Sequence, residues 1–331
     1  MVRRIPLVAC LSGVILSGMT ASAVAQTRAQ GPWWPHPIWG QDDRAGGSNW
    51  ITPEKIRASL QLVTTGRVYE LGQVYEAGMP LYGQRSYTLT IPGGSERPAF
   101  GQNQLLGNDE MITGQLGQVG TQFDGPGHIG TRLRMADGTE QDVYYNGFTW
   151  EEIQGESGLR ELGVEQIKPI ITRGVLIDIA GYQNVPILPP TYEVTLADLR
   201  GALARQGMNE AGIQPGDAIF FAYGWSAHWR DPAVYQATQP GIGLEVARWI
   251  VERKASMVGS DSPGLEVTPN PDPGLIFPVH QELITRNGIW NLENLHFEEL
   301  LAEQTYQFLF VFTPVRFKGA TGSPGRPIAI R

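Results

Sequence analysis

One cysteine occurs in 331 residues, Cys10, and it falls in a segment that reads as an export signal. Arg3 and Arg4 are followed by an apolar run over residues 7–19, too short to cross a bilayer unaided. Ala23-Val24-Ala25 then supplies a small-x-small cleavage site, with Gln26 as the first mature residue. A mature chain with no cysteine has no disulfide, no thiolate zinc site and no cysteine nucleophile. Any metal must be held by His, Asp, Glu or amide oxygen. Basic residues are also scarce: 25 Lys+Arg stand against 33 Asp+Glu, a formal charge of −8. Cleavage before Gln26 removes two arginines and leaves a chain near −10. Such a protein repels phosphate backbones and anionic lipid, so neither nucleic acid nor a membrane is an expected partner.

A hydrophobic content of 41% is ordinary globular material, enough for a sizeable core. Residues 26–50 form an arm rich in Trp and Pro, carrying Trp33, Trp34, Trp39 and Trp50. The arm is expected to drape over its own surface or a second subunit's. Thr52-Pro53-Glu54 starts a helix, with Ile56, Leu60 and Val63 as its apolar face and Gly66 as its end. Strands are predicted over residues 68–71, 174–180, 218–223, 256–259, 289–292 and 308–312. Helices are predicted over 196–206, opened by Thr195 and closed by Gly207, and over 245–254, 281–285 and 297–303. This interleaving argues for an α/β fold. With no repeat and no long linker, residues 51–331 read as one domain.

The run Gln118-Val119-Gly120-Thr121-Gln122-Phe123-Asp124-Gly125-Pro126-Gly127-His128 carries the most chemistry. Gln118, Gln122 and Asp124 share parity and would project to one side of an extended chain. Gly120 leaves room for a ligand to approach the backbone. The Gly125-Pro126-Gly127 turn can return His128 over the same spot. The alternative is a turn-rich loop whose polar side chains cap backbone groups.

This run resembles the signature of the cyclase family of metal-dependent hydrolases, which includes kynurenine-formamidase-like and isatin-hydrolase-like members. That signature reads His-x-Gly-Thr-His-x-Asp-x-Pro-x-His. Gly120, Thr121, Asp124, Pro126 and His128 match it, while Gln118 and Gln122 stand where its metal-binding histidines would be. Gly-Thr-Gln resembles a variant of the longer members. So do Trp39-Gly40-Gln41-Asp42-Asp43-Arg44, Gly288-Ile289-Trp290-Asn291-Leu292-Glu293-Asn294-Leu295, and Phe317-Lys318-Gly319-Ala320-Thr321-Gly322-Ser323-Pro324.

The resemblance implies a central, barrel-like mixed sheet surrounded by helices, in a homodimer or higher oligomer. It implies metal ligands at Asp124, His280 and Glu293, with Gln118 and Gln122 as weaker amide ligands. One divalent ion, Zn or Mn, is expected rather than two. His128 is the expected base, and Trp225, His228 and Asp261 the expected substrate contacts. Ser226 lacks the second glycine of a nucleophile elbow, which disfavours a serine hydrolase. The implied reaction is hydrolysis of an amide, formamide or cyclic amide of a small, flat aromatic substrate; a lactone or ester is the alternative. A periplasmic binding protein that has lost its metal is the rival from another class. The signal segment implies a periplasmic or secreted protein. Mass spectrometry of the exported protein is expected to find Gln26 at the N-terminus, and a chain that retains Arg3 and Arg4 contradicts the assignment.

Overall fold

The structure is a computed structural model that describes Arg28, residues 30–92 and residues 98–331. The signal segment expected over residues 1–25 lies outside the described residues. Nine strands build the main sheet: β1 (Val68–Glu70), β2 (Gln122–Asp124), β3 (Ile170–Asp178), β4 (Ala218–Ala222), β5 (Met257–Ser260), β6 (Trp290–Glu293), β7 (Gln307–Phe312), β8 (Gly322–Pro324) and β9 (Ile328–Ile330). Their order across the sheet is β1-β9-β7-β3-β4-β5-β6-β2-β8. The centre, β3-β4-β5-β6, is parallel. Both flanks are antiparallel.

Parallel neighbours need crossovers, and helices supply them. Helix α1 (Pro53–Leu60) precedes β1. Helix α2 (Leu196–Arg205) lies between β3 and β4, and α3 (Leu244–Glu252) between β4 and β5. A helical segment over residues 278–286 lies between β5 and β6, and its later part, Gln281–Arg286, is a π-helix. The helix starts predicted at Thr52 and Thr195 hold. Thr52 accepts from the Lys55 N–H, and Thr195 forms a reciprocal capping box with Asp198.

Alternation along the central strands sends side chains into two cores. Val175, Ile177, Ile219, Phe221 and Val258 pack with Leu199 and Leu203 of α2 and Ile250 of α3. Leu176, Phe220, Met257 and Leu292 turn to the opposite face and meet Phe123, Phe308 and Phe310. The N-terminal arm packs on its own domain: Trp34 is buried, His36 N–H donates to Asn146, and Trp290 Nε1 donates to the Ala45 carbonyl.

One sequence expectation fails here. Leu60 and Val63 are exposed, and α1 stops at Leu60 without reaching Gly66. The helix is fastened by charge as well as by packing. Lys55 and Arg173 both pair with Asp217, whose side chain is wholly buried, and the Gln214 N–H also donates to it. This ties α1 to β3 and to the start of β4. Removing the carboxylate strands two partly buried cations, and losing one partner of a buried pair costs about 3–5 kcal/mol. Asp217→Ala is therefore expected to lower stability in urea denaturation by about 3 kcal/mol, the lower end, because both cations keep some solvent contact. A loss below about 1 kcal/mol, the level of a surface pair, contradicts this role.

Candidate metal centre

The antiparallel register of β2 and β6 sets Gln122 opposite Glu293 and Asp124 opposite Asn291. Directly opposed residues share a face, so Gln122, Asp124, Asn291 and Glu293 project together while Phe123 and Leu292 enter the core behind them. His280 enters from the helical turn Pro278–His280, which begins after Phe277 in a left-handed conformation. Ligand-capable atoms of Asp124, His280 and Glu293 all lie within 4.8 Å of one another, and all three residues are buried. His280 Nε2 is 3.0 Å from a Glu293 oxygen and 3.7 Å from Asp124 Oδ2. His128 Nε2 approaches the same Asp124 oxygen at 3.7 Å. The turn expected over Gly125-Pro126-Gly127 thus returns His128 to the cluster, with its N–H bonded to the Gly125 carbonyl.

The parity argument reaches the right grouping by the wrong route. Gln118 ends a short 3-10 turn, and Gly120 has φ of +61°, so the chain is not extended from Gln118 to Asp124. Gly120 does not make room for a ligand. A Cβ there would stand 2.7 Å from the Tyr75 ring, so the glycine is needed for the left-handed turn and for tyrosine packing. Gly322 on β8 plays a comparable part: a Cβ there would lie 2.4 Å from Gln118 Nε2.

The glutamine amides act as donors. Gln122 Nε2 donates to Glu293 at 2.9 Å, and Gln118 Nε2 to Asp124 at 3.3 Å. The Gln118 oxygen instead meets Arg85 at 3.4 Å.

Sequence reasoning missed Glu266. Its carboxylate accepts from the Val279 and His280 backbone N–H groups and lies 2.6 Å from His280 Nδ1. An Nδ1–H held by a carboxylate leaves Nε2 to face Asp124 and Glu293, the arrangement that orients a metal-ligating histidine. Leu265-Glu266-Val267 carries no local sign of this, because an acid between two apolar residues reads as a solvent-facing position.

The electrostatics of the group favour positive charge at this point. Burial, and then the Asp124 charge, push the Glu293 carboxyl upward. Burial also opposes the Asp124 charge, but His128, His280 and Arg85 outweigh it and hold Asp124 below its usual range. For His280 burial is outweighed by Asp124, Glu266 and Glu293, which raise it well above an ordinary imidazole. Asp124 Oδ2, fully buried, has no hydrogen-bond partner among the described residues. A buried orphan carboxylate oxygen beside a second carboxylate and an imidazole held at Nδ1 by Glu266 fits a divalent cation in both charge and donor type. Asp124, His280 and Glu293 would hold it.

The cluster opens into a cavity of about 180 Å³ whose walls include Tyr82, Arg85, His128, Gln239 and Phe277. The expected substrate contacts are not among its walls. Trp225 is buried in the core, with Nε1 donating to the Tyr235 carbonyl. His228 packs edge-on against Trp225. Asp261 is buried and accepts from the Tyr223 N–H, and burial pushes its carboxyl up to about 7. No tryptophan lines the cavity; its aromatic walls are Tyr82 and Phe277. Asn294, from the Glu-Asn-Leu block, fixes the frame by donating to the Gly120 carbonyl and accepting from the Tyr235 hydroxyl.

The cyclase family model matches residues 69–267, more than half of the chain. No curated protein matches. Among solved structures, a crystal structure described as a novel cyclase is 29% identical with a TM-score of 0.78, over 88% of this chain and 98% of its own. Isatin hydrolase A from Ralstonia solanacearum is 20% identical with a TM-score of 0.59, over 85% of this chain and 99% of its own. An isatin hydrolase bound to the product analogue thioisatinate is 17% identical with a TM-score of 0.58, over 84% and 98% of the two chains. The likeness to the isatin hydrolases is one of fold. By its family match, and with a nine-stranded mixed sheet of the same architecture, the chain belongs to the cyclase family.

Proposed function

We propose that this chain is a metal-dependent hydrolase that opens an amide bond, formamide or cyclic amide, in a small substrate. The observation that carries the reading is the buried Asp124-His280-Glu293 group at the base of a cavity, with His128 in the wall. The isatin hydrolases that share the fold favour the cyclic amide among the possible bonds. A lactone or ester carbonyl would meet the same groups.

A divalent cation, Zn or Mn, bound by these three residues would supply positive charge that polarises a carbonyl and acidifies a water. The protein's own residues do the rest. Glu266 holds the His280 ring by Nδ1, and Gln122 and Gln118 orient the two carboxylates. His128 takes the proton of the attacking water at Nε2 and returns it to the leaving nitrogen. Burial lowers the His128 pKa more than Asp124 raises it, and His280 and Arg85 lower it further. The imidazole is therefore neutral, and competent as a base, at neutral pH.

The purified chain is expected to hold one equivalent of metal, measured by elemental analysis, and Asp124→Ala to hold none. Glu266→Gln is expected to weaken metal affinity about 10- to 100-fold in a chelator competition, the usual effect of losing the group that orients a ligating histidine. Two equivalents in the wild type, or unchanged affinity in Glu266→Gln, contradict the assignment.

His128→Ala is expected to keep its metal and lose about 100- to 10,000-fold in turnover, the range for a positioned general base. Wild-type turnover falls as pH drops through the His128 pKa, because protonation removes the base. That acidic limb lies below the ordinary histidine range and disappears in the variant. Near-normal turnover in His128→Ala, or loss of its metal, shows that another group takes the proton.

A further inference from the structure

Among the described residues the cavity wall has one lysine or arginine, Arg85, and the proposed reaction gives it no contact with the substrate. Its side chain is partly buried, and no carboxylate pairs with it among the described residues. Two neutral contacts hold it instead: one guanidinium nitrogen donates to the Gln118 carbonyl at 2.8 Å, another to Gln118 Oε1 at 3.4 Å. The guanidinium carbon lies 5.6 Å from the centre of the Tyr82 ring, which is half exposed at the cavity wall and makes an edge contact with Phe277.

An arginine with only neutral partners in a cavity wall is a charge awaiting a counter-ion. Two carboxylates stand nearby in the same cavity, yet neither pairs with it. The Gln118 amide lies between, donating to Asp124 by its nitrogen and accepting from Arg85 by its oxygen. That spacing matters. A carbonyl reacting beside Asp124 and Glu293 is separated from the guanidinium by the Gln118 amide, so Arg85 reaches a group remote from the scissile bond. With a divalent cation balancing Asp124 and Glu293, Arg85 is left as the uncompensated charge among the described wall residues, and it is positive.

We propose that Arg85 is an anion subsite that selects substrates bearing a carboxylate on a flat apolar body, the carboxylate on the guanidinium and the body against Tyr82 and Phe277. This rests on the hydrolase reading for the reaction but not for the binding. Arginine suits the task because its planar fork meets a carboxylate with two hydrogen bonds.

The probes are benzoate and its neutral isostere benzamide, titrated calorimetrically into the metal-loaded protein, with metal content measured on each sample. Wild type is expected to bind benzoate more tightly than benzamide. Arg85→Met should lose about ten- to a hundredfold in benzoate affinity, the scale of a charged hydrogen-bonded pair, and leave benzamide unchanged. Arg85→Lys should recover part of the loss, which separates charge from packing. Equal benzoate affinity in Arg85→Met and wild type means the metal holds the anion, and it overturns the proposal. So does an equal loss of both probes, or no benzoate binding in the wild type. If the protein carries no metal but benzoate binding still depends on Arg85, the hydrolase reading fails and the anion subsite stands.

Discussion

Two carboxylates sealed from water within ligand distance of one imidazole are the constraint around which the rest of the site is built. Asp124 and Glu293 repel each other, and each has lost the water that would screen it. Positive charge must be supplied at that point for both to ionise. Nearly every neighbouring feature serves to hold the pair in place until it is. The β2–β6 register puts the carboxylates on one face, Gln122 and Gln118 each donate to one of them, and Glu266 fixes the ring that faces both. Asn294 and the Tyr75 packing at Gly120 lock the turn that delivers β2.

This division of labour gives the glutamines a meaning that their position in the family pattern conceals. A histidine at either place could be a ligand. The amides here hydrogen-bond to ligands instead, and Gln118 also carries Arg85 on its oxygen. The Arg85 guanidinium therefore stands one amide away from Asp124. Gln118 thus links Asp124 to Arg85, and a guanidinium lies in the cavity wall beside the Asp-His-Glu group.

Much of this was legible in the sequence, for identifiable reasons. The central strands announce themselves by doubly buried apolar runs such as Ile219, Phe220 and Phe221, and the helix starts by Thr52 and Thr195. Asp124, His280 and Glu293 were found because a resemblance joined residues far apart in the chain; spacing alone would not have paired His280 with Asp124. Glu266 and Arg85 were missed because each sits in an irregular segment whose position is fixed by tertiary contacts, Glu266 under a helix end and Arg85 on the Gln118 amide. Trp225 was expected at the substrate from the resemblance alone. In the structure its indole is buried, with the nitrogen satisfied by the Tyr235 carbonyl. Leu60 and Val63 misled because the helix they extend stops early and is tied down by Lys55.

The central claim is that one metal ion neutralises this pair of carboxylates. Anomalous diffraction from crystals of the protein grown with manganese tests it directly. The account predicts a single strong peak per chain, within bonding distance of one oxygen each from Asp124 and Glu293 and of His280 Nε2, with the Gln118 and Gln122 amide oxygens turned away. A second peak ligated by the glutamines, or no peak between the carboxylates, would contradict it.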